Sequence, residues 1–121
     1  YIPYSGFQVG AALLGKSGTV YRGCNIENAA YTPTNCAERT AFFKAVSEGE
    51  REFLAIAIVG NRAGEVPDLE QFCTPCGVCL QVMTEFCSPK QFEVILANRI
   101  DHYRVLKLAE LLPLSFGPDS L

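Results

Sequence analysis

The chain has 121 residues, 49% of them hydrophobic and 19% charged, with a formal net charge of −3, which suits one globular domain spanning residues 1–121 and excludes a disordered tail. No clustered Lys and Arg offer the footprint that a phosphate backbone needs, so polymeric nucleic acid is excluded as a partner. No apolar run approaches the roughly 20 residues of a membrane-spanning helix, and the first residues lack the basic-then-apolar layout of a signal peptide, so no membrane partner and a cytoplasmic location are expected.

Residues 7–14 and 19–23 are β-prone runs on either side of a turn bounded by Gly15 and Gly18, which predicts a hairpin. A polar loop rich in Asn, Thr and Pro follows. From Cys36 to Glu48, Ala37, Thr40, Ala41, Lys44 and Ala45 recur at helical spacing, and Gly49 ends the helix. Leu54 to Val59 is a continuous apolar run before Gly60, read as a central strand buried on both faces. Pro75 suits a first helical residue, and Val78, Gln81, Val82, Glu85 and Phe86 carry a helix to Ser88-Pro89. Phe92 to Ala97 is a further strand, Tyr103 to Leu106 a short one, and Leu108 to Leu112 a helical turn before Pro113. The order implies an α/β fold: a three-layer α/β/α sandwich around a mixed sheet of about five strands.

Two short patterns carry the chemistry, Cys36-Ala37-Glu38 and Pro75-Cys76-Gly77-Val78-Cys79. Each opens a predicted helix, where unpaired backbone N–H groups and the positive end of the dipole favour a thiolate. Three thiolates leave one tetrahedral position of a zinc ion open, the arrangement of a catalytic site; a fourth, which Cys73 could supply, would make the site structural, and the need for that open position makes Cys73 a bystander. A CxxC pair alone also serves redox chemistry, and a Glu in a first helical turn alone only complements the dipole. Taken together, the two patterns match the signature of the zinc deaminases, with Cys in place of His as first ligand. The remaining cysteines, Cys24 and Cys87, read as buried or partly exposed thiols, and His102 as solvated surface.

Five ordered segments extend the match: residues 1–12 (YIPYSGFQVGAA), 23–31 (GCNIENAAY), 36–41 (CAERTA), 75–83 (PCGVCLQVM) and 111–117 (LLPLSFG). Across nearly the whole chain the sequence resembles the homotetrameric, zinc-dependent cytidine deaminases. The resemblance implies hydrolysis of cytidine and 2′-deoxycytidine to uridine and 2′-deoxyuridine plus ammonia, a step of pyrimidine salvage. Zinc on Cys36, Cys76 and Cys79 would activate a water that attacks C4 of the base, with Glu38 as proton shuttle. Asn25 and Glu27 match the family's clamp on the ribose 3′-hydroxyl, Phe7 the aromatic near the pyrimidine, and the backbone around Ala37 a contact to the base. Tyr31 and Phe116 match residues that complete the site from neighbouring subunits of a homotetramer.

The chain departs from the family at Leu80, where an Arg usually follows the second cysteine of the pair. Three thiolates on Zn²⁺ sum to −1, so the loss of a neighbouring cation bears on the metal's acidity, and Arg39 retains the other basic partner. The helix that the family carries ahead of the position of Tyr1 is expected but missing here. Two rival readings follow from the same motifs: a deaminase of a related nucleoside such as blasticidin S, and a non-catalytic interaction domain with four cysteines on zinc.

Overall fold

The computed structural model describes residues 1–121. Strands β1 (Phe7–Gly15) and β2 (Val20–Cys24) form the expected antiparallel hairpin. Its turn closes with the Gly18 amide donating to the Gly15 carbonyl at 3.0 Å, and Gly18 takes a φ of 92° that an L side chain resists. Strand β3 (Phe53–Arg62) lies antiparallel along the other side of β1, β4 (Glu93–Arg99) parallel to β3, and β5 (His102–Lys107) antiparallel to β4. The spatial order β2-β1-β3-β4-β5 makes one mixed five-stranded sheet, as the element order implied.

Helix α1 (Ala37–Ser47) links β2 to β3, and α2 (Gly77–Phe86) links β3 to its parallel neighbour β4, a connection that needs a crossover element. Both pack on the same face of the sheet, where Ala11, Leu13, Tyr21, Ile56, Ile58, Val94 and Leu96 are buried. Phe42 of α1 is the hub of this core, with ring centroids 5.0 Å from Phe53, 6.1 Å from Phe92 and 6.2 Å from Phe86. Alanines 37, 41 and 45, all fully buried, let the α1 backbone approach the sheet. At Gly23 that approach is so close that a Cβ would run into the Ala37 carbonyl and the Ala41 amide. The short α3 (Leu108–Leu111) completes the core through buried Leu108.

The structure corrects three expectations. The run from Leu54 to Val59 is not buried on both faces: Ile56 and Ile58 are enclosed, but Leu54 and Val59 are 50% and 47% exposed. Both crossover helices lie over one face, so the alternate residues, Ala57, Val59, Ile95 and Val105 among them, form a sheet face that none of these helices covers. The α/β class and the mixed five-stranded sheet hold as expected. Pro75 lies just outside α2, because Cys76 has the extended φ and ψ of an N-cap, −75° and 166°. His102 is not free surface: its ring stacks on Phe72 at 5.4 Å and 11°.

Candidate metal centre and active site

Both helices that cover the sheet follow strands that run the same way, β2 and β3, and each begins on a cysteine. Cys36 is the N-cap of α1, with φ −76° and ψ 157°, and Cys76 the N-cap of α2. One helical turn into α2, Cys79 is fully buried beneath them. The Cys36 and Cys76 sulfurs are 3.9 Å apart, those of Cys76 and Cys79 3.6 Å, and all three lie within 4.8 Å of one another. That is too far for a disulfide, whose sulfurs lie about 2.05 Å apart. It is the edge length of a tetrahedron around zinc, about 3.8 Å for a Zn–S bond of about 2.3 Å. The donor set fits a tris-thiolate zinc ion with one open corner.

Two of the three cysteines, Cys36 and Cys76, line a cavity of about 150 Å³ together with Ala37 and Glu38 on the helix side and Asn25 and Glu27 on the loop after β2. Glu38, in the first turn of α1, is only 4% exposed. Burial raises the pKa of its carboxyl above the ordinary carboxylate range, against the opposing pull of its own backbone amide and of Arg39. A buried acid whose pKa is displaced toward neutrality, beside a three-sulfur cluster, is a proton-transfer arrangement.

A model of the cytidine and deoxycytidylate deaminase zinc-binding region matches residues 1–95. The chain belongs to this family. It is 51% identical over all 121 residues to the cytidine deaminases of Sporosarcina psychrophila and Halalkalibacterium halodurans, covering 83% and 86% of their lengths. The crystal structure of cytidine deaminase from Burkholderia pseudomallei superposes with a TM-score of 0.82 at 47% identity, over 96% of this chain and 87% of that one. The cytidine deaminase of Mycobacterium tuberculosis superposes at 0.75 with 36% identity, over 97% of this chain and 85% of that one. The zinc-binding character of the family and the geometry of Cys36, Cys76 and Cys79 agree.

Within this deaminase site, charge around the sulfurs is shared unevenly. Burial works to raise the Cys76 thiol, but the Cys79 amide and thiol, the Cys36 thiol and the Val78 amide outweigh it and hold Cys76 below its ordinary pKa. Cys79, deeper and close to the Glu38 carboxylate, is pushed up by desolvation first and by that charge second. Arg39 reaches the cluster from α1, its Nη2 donating to Cys36 Sγ at 3.5 Å, while its Nε is buried without a partner. Leu80 is 7% exposed and belongs to the apolar core. Arg39 is thus the guanidinium that stands against the thiolates.

Asn25 and Glu27 are found at the cavity, and both have a second task that the sequence did not signal. The Asn25 side chain donates to the Phe7 carbonyl at 2.9 Å and accepts from the Val9 amide at 2.9 Å, so it is stitched to β1. Glu27 Oε1 accepts from the amides of Tyr4 and Ser5 at 3.0 and 3.2 Å. The Ser5 hydroxyl and the Tyr4 amide lower its pKa, so it stays ionised. One N–H of Asn25 and Oε2 of Glu27 remain for a ligand.

Three expected contacts are not brought to the cavity within one chain. Phe7 is half-buried and borders a neighbouring cavity instead. Tyr31 is 73% exposed on a backbone with φ 61°, its ring edge-on to Tyr4, and Phe116 is 61% exposed. Conversely, Cys73, read from sequence as a bystander or a possible fourth ligand, stays out of the sulfur cluster but lines the cavity. Burial pushes its thiol up to about 11. Phe72 precedes it directly, but Gly60 and Phe7, the residues it meets at β3 and β1, are remote in sequence, and no local pattern announces that contact.

Proposed function

We propose that this chain catalyses the hydrolytic deamination of cytidine and 2′-deoxycytidine to uridine and 2′-deoxyuridine. The observation that carries the reading is the buried Glu38 lining one cavity with Cys36 and Cys76, whose sulfurs stand with that of Cys79 at zinc-tetrahedron spacing. Cys36, Cys76 and Cys79 would hold a zinc ion, which when bound would supply a Lewis acid that lets water lose a proton near neutral pH. Glu38 takes that proton as the water oxygen bonds to C4 and delivers it to ring N3; it then takes the second proton, from the new C4 hydroxyl as the carbonyl forms, and passes it to the exocyclic amine. The C4–N bond breaks and ammonia leaves, with no net change of protonation at Glu38. Asn25 and Glu27 hold a sugar hydroxyl with their remaining N–H and oxygen, the Ala37 backbone contacts the base, and Arg39 offsets the thiolate charge. Residues 1–121 act as a single domain, supported by one continuous core cluster. A reducing compartment such as the cytoplasm suits the six free cysteines. Loss of the cytosine absorbance on incubating the purified, zinc-loaded protein with cytidine, with ammonia released in equal amount, is the direct test; no conversion would overturn the reading.

The working form in this proposal is a homotetramer with shared sites. What supports it is a cavity of about 150 Å³, smaller than the roughly 300 Å³ at which ligand pockets usually begin, together with the exposed rings of Tyr31 and Phe116. A neighbour's Phe116 and another's Tyr31 would complete the walls around the pyrimidine, and Phe7 would pack beside it. Sedimentation across a dilution series with activity followed in parallel tests this, and full activity in a monomeric fraction would overturn it.

A further inference from the structure

Cys73 has a position that the reaction does not explain. It is the one residue that lines both the cavity at Glu38 and a second cavity of about 280 Å³. Besides Cys73, the second cavity is lined by the apolar Phe7, Gly60 and Phe72 and by polar groups that include Asn61, Arg62, Gln71 and the carboxylates of Glu65 and Asp68. The Cys73 side chain rests directly on β3 at Gly60: a Cβ there would stand 2.8 Å from Cys73 Sγ, 2.9 Å from its Cβ and 3.1 Å from Phe7 Cε1. The missing side chain of Gly60 therefore sets how far Cys73 and Phe7 retreat toward the sheet. Between the two cavities stands a single small side chain.

We propose that Cys73 is a specificity-determining residue of the deaminase pocket, a one-residue partition whose bulk keeps a short substituent on C5 or N4 of the base out of the second cavity, which would otherwise be an accessory subsite for it. The inference rests on the deaminase reading above. Phe7 and Phe72 make the entry to the subsite apolar, so a methyl-sized group suits its mouth, while Asn61, Arg62 and Gln71 would meet a polar end on a longer substituent. Gly60 acts through Cys73 as a positioning residue.

The test is the ratio of kcat/KM for 5-methylcytidine and for N4-methylcytidine to that for cytidine, on zinc-loaded, full-length protein. Cys73→Ala opens the partition and should raise at least one ratio about 10-fold, the low end of what one methyl-sized group commands in an apolar pocket. Cys73→Val thickens it and should lower the same ratio, as should Gly60→Ala, which drives Cys73 and Phe7 off the strand. Cys73→Ser, of nearly the same volume, should hold it. Zinc content and melting temperature of each variant show that the ratio is read on a folded, loaded protein, and the Val and Ser variants decide the matter if the Ala variant does not fold. Ratios unchanged in both Cys73→Ala and Cys73→Val, or moved in the same direction by the two, would overturn the partition. Failure of the deaminase reading shows separately, as absence of cytidine turnover by the wild-type protein, and would take the subsite with it.

Discussion

Replacing Glu38 by Gln removes one proton-carrying oxygen and almost nothing else. The side chain is 4% exposed in the first turn of α1, with packed helix on one side and the sulfur cluster on the other, and an amide of the same shape fits that space. Because burial already disfavours the carboxylate, a neutral amide carries no folding penalty from lost charge. Loss of a general acid–base group slows a reaction about 10²- to 10⁴-fold, which is about 2.7 to 5.4 kcal/mol of barrier at about 1.36 kcal/mol per decade. The expected outcome is therefore a variant with wild-type zinc content and an unchanged urea midpoint, but kcat/KM for cytidine lower by that factor. The pH dependence separates chemistry from packing. Glu38 must start as the carboxylate to accept the proton of water, and its pKa is raised, so wild-type activity falls as the pH drops through that raised value. The variant's residual activity should lack this acid limb. Near wild-type turnover, or an acid limb that persists in the variant, would refute the assignment of Glu38 as the proton carrier.

Further outcomes follow from the same geometry. Single Ala variants of Cys36, Cys76 and Cys79 should each fall well below one zinc per chain by metal analysis, while Cys87→Ala, buried outside the cluster, should keep its zinc. Arg39→Ala removes the donor 3.5 Å from Cys36 Sγ and should weaken zinc retention in a chelator competition about 10- to 100-fold, the scale for a partner of a metal ligand. Gly23→Ala should destabilise the fold by about 1–3 kcal/mol or more by urea unfolding, since the new Cβ meets backbone and not a flexible side chain. The same displacement of α1 should loosen zinc at Cys36, and wild-type stability and zinc content together would show that α1 does not need this contact.

Much of the fold and the metal centre was legible because the signals are local. A β-prone run, a glycine turn and a second run make a hairpin wherever they occur, and Cys36 and Cys76 could be placed at helix starts from the residues that follow them. Covalent spacing along one helix determines that Cys76 and Cys79 share a face, so two of the three zinc ligands are written in four residues. Tertiary structure decided what depends on distance between segments. It set Cys36 at 3.9 Å from Cys76 across a gap of forty positions, and it gave Asn25 and Glu27 their partners among residues 4–9. It also left one face of β3 uncovered, because an apolar run has the same composition whether one side of it is packed or both. Cys73 shows the difference most sharply. Its identity and its place three residues before Cys76 suggested a ligand or a bystander, and only the absence of a side chain at Gly60, brought alongside by the path of β3, turned it into a wall between two cavities.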